Sequence, residues 1–290
     1  MAPFDTGIAP TTAPDVALRH IVADCHADLL KYRAVVLTSR RPVGIHQTRV
    51  ALRRLRAAFG LFRHAVDGPV VRALSAEAKW LAGECAPSRD LHVFLTETVS
   101  DVPPVLKRVA RRLADAHLQR ARAALSGARF EAFGRQLHSF LDLSPAHPTD
   151  RLDEFARSEL DAHHDKVVHR GRRIEQLKEK RLHRLRIAIK KLRYAAAFLQ
   201  PAFASAAAKP YIEATVRLQG ALGALNDRAV ARHMLADLAT AARPTEDVAK
   251  PLKLLAKQAE SGEKRRRRKL ERAWKEFRKA ERFWRARIED

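Results

Sequence analysis

Cysteine is almost absent from this 290-residue chain: only Cys25 and Cys85 occur, with no C-x-x-C spacing. Neither a disulfide framework nor a zinc site is indicated, and a reducing cytoplasm fits. Glycine (11) and proline (14) are also scarce, which favours long helices over a strand-and-turn fold. Aromatic residues make up 6%, leaving few platforms on which nucleic-acid bases could stack. No run of 18 apolar residues is present, and the N-terminal MAPFDTGIAPTTAP lacks the basic and apolar regions of a signal peptide. Membrane spanning and secretion are therefore disfavoured, and residues 1–14 read as a disordered lead-in. Acid is in short supply as well: 33 Asp plus Glu stand against 56 Lys plus Arg, a formal charge of +23. Such an excess repels itself unless a polyanion binds. Nucleic acid, an acidic membrane surface or a phosphate polymer would each serve, and charge alone does not choose among them.

What is present is a repeat. Sliding the sequence by 137 positions brings His46-Gln-Thr-Arg49-Val-Ala-Leu-Arg53-Arg54-Leu-Arg56 onto His183-Arg-Leu-Arg186-Ile-Ala-Ile-Lys190-Lys191-Leu-Arg193. The same ungapped shift matches Asp24, His26, Asp28 and Arg33 to Asp161, His163, Asp165 and Arg170, and Leu81, Gly83, Asp90 and Val93 to Leu218, Gly220, Asp227 and Val230. Three blocks at one offset indicate an internal duplication, with helical halves over 15–142 and 151–286 and a linker at 143–150 that contains Ser-Pro-Ala-His-Pro. Hydrophobic periodicity places helices near 15–38, 44–66, 70–85, 89–98, 104–126 and 128–141 in the first half. In the second they fall near 151–174, 179–200, 206–224, 227–241, 245–260 and 263–286. The fold class is all-α, two helical bundles related by a pseudo-twofold axis.

At about 100° per residue, His46, Arg49, Arg53 and Arg56 share one stripe, while Leu52, Leu55, Phe59 and Phe62 form the apolar face beside it. His183, Arg186, Lys190 and Arg193 repeat the stripe. Arg54 and Lys191 fall off it and are the weaker candidates. On the first helix of each half, His26 and Arg33, and likewise His163, Lys166 and Arg170, form a basic flank opposite the aspartates. Like charges at i,i+3 and i,i+4 destabilise a helix, and neither copy relieves its stripe with interleaved Glu. A duplicated, uncompensated stripe points to a ligand. Arginine's fork suits phosphate oxygens, and histidine can donate from both ring nitrogens when protonated.

Asp90 and Asp227 each sit where a short polar link opens a new helix, so capping is the simpler reading; an ion pair to a stripe arginine is the alternative. The run Lys264–Lys269 reads first as a solvated helix start and second as an auxiliary polyanion contact. No H-E-x-x-H, Walker-type loop or G-x-S-x-G is present, and the adjacent His163-His164-Asp165 lacks the spacing of helical metal ligands. No metal-binding carboxylates are evident near either stripe, so phosphoryl-transfer chemistry is not indicated.

The His-x-x-Arg-Val-x-x-Arg-Arg-Leu-Arg segment at 46–56, its echo from His183 to Tyr194, the Lys79-Trp-Leu-Ala-Gly block ending in Arg89-Asp90, and Leu218-Gln-Gly-Ala-Leu-Gly with Asn226-Asp227 resemble the CHAD domain, the conserved histidine α-helical domain. The resemblance spans about 15–286. It implies two four-helix-bundle-like halves and a basic surface channel that binds inorganic polyphosphate, without catalysis, without a cofactor and at polyphosphate granules in some bacteria. It carries His46, Arg49, Arg53, Arg56, His183, Arg186, Lys190 and Arg193 over as ligand contacts, with His26, Arg33, His163, Lys166, Arg170 and Lys79 beside them. The E-x-E-x-K signature of the triphosphate-processing domain often fused to CHAD is not found, so the chain resembles a stand-alone member. One departure is Glu84-Cys85-Ala-Pro87, where a Leu-Gly-type turn is usual. A cytoplasmic, polyphosphate-binding protein is the leading reading, and a basic helical nucleic-acid binder is the alternative.

Overall fold

The computed structural model describes residues 8–66, 68–143, 151–203 and 205–285, and their side chains except for 226–229. Among these residues every regular element is helical. The first half holds α1 (Pro14–Thr38), α2 (Pro42–Leu61), α3 (Pro69–Glu84), α4 (Ala86–Val93), α5 (Pro104–Ser126) and α6 (Ala128–Asp142). The second holds α7 (Leu152–Arg170), α8 (Glu179–Leu199), α9 (Ala208–Ala241), α10 (Ala249–Glu260) and α11 (Glu263–Lys279). The sparse prolines act as starters: Pro14, Pro42, Pro69 and Pro104 each occupy a first helical position. Their missing N–H costs nothing there and their fixed φ suits the helix.

The elements recur at the sequence offset. α1 corresponds to α7, α2 to α8 and α6 to α11, which is the spacing that an internal duplication requires. The exception is informative. The expected break between 206–224 and 227–241 is missing, and α9 runs unbroken through it. In the first half the chain breaks at Cys85, between α3 and α4, and Pro87 follows in the first turn of α4. The residue that matches Pro87 is Ala224. Proline cannot donate the i→i−4 bond, whereas alanine continues the helix.

Two apolar clusters form the interior, and each draws on both halves. The larger includes Leu18, Leu52, Leu55 and Phe59 from the first half with Leu160, Leu185, Leu192 and Trp284 from the second. The smaller joins Leu91, Phe94 and Leu106 to Ala231, Met234, Leu238 and Leu255. α9 reaches from one cluster into the other, through Leu218 and Leu222 and then Met234 and Leu238. Burial at both ends outweighs the helix-weakening Gly220, Gly223 and Asn226 between them.

Part of the lead-in packs against the fold. Residues 8–13 are ordered, Ile8 is buried, and the carbonyls of Thr12 and Pro10 accept from the amides of Leu152 and Asp153. They thereby satisfy first-turn donors of α7 that a helix leaves open. Residues 1–7 and nearly all of the linker lie outside the described residues. At the other end, α11 stops at Lys279 rather than 286, but Phe283 and Trp284 turn back into the core. Trp284 donates from its indole N–H to Asp161 at 2.9 Å and packs edge-on against Tyr211. Deleting this fully buried ring leaves a cavity and removes one donor from Asp161, which Arg285 still holds. Trp284→Ala is expected to lower unfolding free energy by about 3–5 kcal/mol in urea titrations, and Trp284→Phe by less.

Candidate functional site

α2 and α8 pack against each other, each burying its apolar face: Ala51, Leu52, Leu55 and Phe59 on one, Ala188, Ile189 and Leu192 on the other. The stripes flank those faces, so the packing brings them together. The meeting point is Lys190. Burial, then the neighbouring Arg53, Arg186, Arg56 and Arg193, push its ammonium down from 10.5 to about 8. Two of those arginines belong to α2 and two to α8, and among the described residues these four guanidinium groups are the largest charge effects on it. Moving an ammonium out of water beside four guanidinium groups opposes its charge by both desolvation and repulsion.

The outer end of the α2 stripe is more tightly held. Arg49 donates from Nη1 to the carbonyl of Ala82 at 2.9 Å, and its Nη2 lies 3.7 Å from Asp90 Oδ1. Burial nevertheless lowers its pKa, with Asp90 opposing and Arg53 adding to the shift. Asp90 is therefore an ion-pair partner and not the expected cap: it lies inside α4, whose N-terminus has no side-chain cap. Its counterpart Asp227 lies outside the described side chains. His46 is pushed toward its neutral form by burial and then by Arg89, Arg53 and Arg49. Arg89 was not foreseen as a site residue, although it immediately precedes Asp90. Three buried donor or acceptor atoms on the stripes, His46 Nδ1, Arg49 Nε and Arg193 Nε, have no hydrogen-bond partner among the described residues. Arg193 lies over its neighbour Tyr194, 4.7 Å from the ring centroid.

The structure also supplies carboxylates that the sequence reading did not place near the stripes. Glu97 acts on His46, and Glu179, Glu260 and Glu263 line a concavity with His183, Arg186, Arg232 and Arg267. Most come from other helices, and Glu179 lies one turn before His183. No group of three or more His, Cys, Asp or Glu among the described residues is arranged to hold a metal ion.

The candidates on the first helix of each half do not join the Lys190 cluster. Arg33 donates to the Leu125 carbonyl at 2.8 Å and to Glu131 at 2.7 Å while covering Phe130, so it latches α1 to the α5–α6 corner. His26 is shifted down by burial and by His138 on α6. Lys79 is exposed on α3. In the second half, Lys166 and Arg170 gather instead with Lys191, whose ammonium is lowered by burial and then by Lys166, Arg63 and Arg170. His163 belongs to that group. Burial, then Lys191 and Lys166, hold it down near about 4, and Glu159 is 3.7 Å away. Off-stripe Lys191 thus has a cationic setting of its own, whereas off-stripe Arg54 pairs with Asp28 at 2.8 Å. Within the run 264–269, Arg266 and Arg267 donate to the carbonyls of Ala259 and Leu177.

Fold and site together define an all-helical protein in which two cationic helices pack side by side. More specifically, the chain belongs to the CHAD domain family, whose model matches residues 20–236. A crystal structure of the CHAD domain from the plant Ricinus communis superposes with a TM-score of 0.80 at 25% identity, covering 97% of this chain and 98% of that one. PptA from Streptomyces chartreusis shares the fold, with a TM-score of 0.61 at 17% identity over 92% of this chain and 98% of that chain. No curated protein matches the sequence. No helix among the described residues is long and apolar enough to cross a membrane.

The crowding of Lys190 sets a stability expectation. Below pH 8 the lysine is charged in both folded and unfolded chains, and the folded state carries the cost. As pH rises from 8 toward 10.5 the folded state loses the proton first and the cost fades. The whole shift corresponds to about 3 kcal/mol, and partial solvent access reduces it to about 1–2 kcal/mol. Lys190→Gln is therefore expected to be the more stable protein at pH 7, by urea unfolding without added polyanion, with its advantage disappearing by pH 10.5.

Proposed function

We propose that the protein binds inorganic polyphosphate without acting chemically on it, and that the Lys190 cluster is the main contact. The observation that carries this reading is the convergence of Arg53, Arg56, Arg186, Lys190 and Arg193 from two helices onto one place, where after burial the largest effects on the central ammonium all come from arginines. A phosphate chain supplies a negative charge on every unit. It would relieve the repulsion, restore the lysine's proton affinity and give the orphaned His46 and Arg193 nitrogens acceptors. Membership of the CHAD family supports the choice of polymer. The ligand would bind by releasing its counterions, as polyanions do on basic proteins.

His46 and Arg49 extend the contact along α2, and His183 and Arg186 extend it along α8. Arg49 serves partly as structure, because Ala82 and Asp90 hold it. His26, Arg33 and Lys79 contribute least on this reading, since Arg33 is already bonded at the α5–α6 corner. The protein would act in the cytoplasm, at the granules in which polyphosphate collects. A nucleic-acid-binding role fits less well: Tyr194, Tyr211 and Trp284 are buried, and the cationic groups face one another rather than exposed rings.

Isothermal titration tests the reading. Polyphosphate affinity is expected to fall by about tenfold or more between 50 and 200 mM salt and to grow with chain length. Arg53→Gln combined with Lys190→Gln should weaken binding about tenfold or more while circular dichroism stays helical. Length-independent binding, equal affinity for RNA at matched phosphate concentration, or phosphate release with Mg²⁺ or Mn²⁺ would each contradict it.

A further inference from the structure

A second concavity lies at the corner where α7 turns into α8, and it is lined by Lys166, Arg170, Arg172, Arg173, Arg181 and Arg184 together with His169, with no carboxylate and no Phe, Tyr or Trp in the lining. Its volume is about 770 Å³. A water's share of liquid volume is about 30 Å³, so the space admits several linked phosphates rather than one anion.

The corner is built, not merely charged. Gly171 closes α7 directly against Trp274, and a Cβ there would lie 2.2 Å from the indole edge. Arg173 follows in the left-handed region, with φ 53°. The Leu177 carbonyl is held by Arg267 from α11 at 3.2 Å. Arg170 donates to the Arg184 carbonyl at 3.0 Å, bracing α7 to α8 across the opening. The backbone that carries these cations is thus fixed around a hollow, with Arg170 itself braced, at a position where a non-glycine residue accepts backbone strain.

The corner is not a copy of anything in the first half. Stepping back by 137 from Lys166, Arg172, Arg173, Arg181 and Arg184 reaches Leu29, Val35, Val36, Gly44 and Gln47, and only Arg170 keeps its charge, as Arg33. Arg33 itself is turned to Glu131. The stripes are a paired feature of the two halves, while this concavity belongs to the second alone.

From the concavity, the placement of Lys191 among Lys166, Arg170 and Arg63 extends the cationic surface along α8. That flank is about 100° around the helix from Lys190. We propose that the α7–α8 corner is a second, separate binding site for a phosphate chain, independent of the cluster at Lys190. Five guanidinium forks suit phosphate oxygens, and a lining whose one ring is the His169 imidazole, with no Phe, Tyr or Trp, favours a polymer without bases. A long chain engaging both sites would gain avidity that a short one cannot.

Titration with tripolyphosphate at low salt tests this, since the ligand is too short to favour bridging. The wild-type protein should bind two equivalents. Arg181→Glu with Arg184→Glu, both exposed side chains, should reduce this to one equivalent without loss of helicity by circular dichroism. Arg53→Gln with Lys190→Gln should remove the other equivalent and leave the corner site intact. If the corner variant titrates like wild type, or the Lys190 variant binds nothing, there is no second site. If the corner binds while the Lys190 variant still titrates like wild type, the proposal for the Lys190 cluster fails and the corner stands. Single-stranded RNA bound at the corner more tightly than tripolyphosphate would overturn the assigned ligand.

Discussion

The packing of α2 against α8 is the constraint on which the rest depends. Each helix has an apolar face flanked by a cationic stripe, so burying the faces together forces the stripes together as well. Apolar burial is worth about 25 cal/mol per Å², and α8 alone buries Leu182, Leu185, Ile189, Leu192, Phe198 and Leu199. That gain outweighs a repulsion of a few kcal/mol at Lys190. The fold therefore holds a local arrangement that is unfavourable in the absence of an anion, and the cost is met by the shared core.

This arrangement separates two kinds of arginine. Arg33, Arg54, Arg120 and Arg129 are paired with Glu131, Asp28, Glu84 and Glu77, and they tie helices to one another. Arg53, Arg56 and Arg193 converge with Arg186 on a lysine. In a chain with 56 basic residues, net charge alone says little about where a polyanion would sit. The disposition of the carboxylates says more, because an arginine already matched to a carboxylate has less to gain from phosphate. Two places on the described surface stand out by that test, one between the paired helices and one at the α7–α8 corner.

Most of the helical architecture was legible in the sequence, because apolar periodicity and N-terminal prolines mark the same positions. The two helices that carry the His-x-x-Arg segments, α2 and α8, were legible for the same reason. What could not be read were contacts between helices. The pairing of Arg49 with Asp90 joins α2 to α4, and the latch of Arg33 joins α1 to the α5–α6 corner; neither follows from angles on a single helix. Lys191 was set aside because it leaves the stripe of its own helix, yet α7 brings Lys166 and Arg170 to it. The continuous α9 was missed because its glycines and Asn226 resemble the break in the first half. The difference between Pro87 and Ala224, which decides the matter, is visible in the sequence once the offset is applied.

The central claim is that Lys190 sits in a cationic environment made for an anionic chain, and its own titration is the most direct test. Lysine side chains labelled with ¹³C at the ε position, assigned with Lys190→Gln, would report its pKa by NMR with and without long-chain polyphosphate. The account predicts a value near about 8 in the free protein, rising to the ordinary lysine range or above when polyphosphate is added. A Lys190 that titrates near 10.5 in the free protein, or one whose titration polyphosphate leaves unchanged, would contradict it.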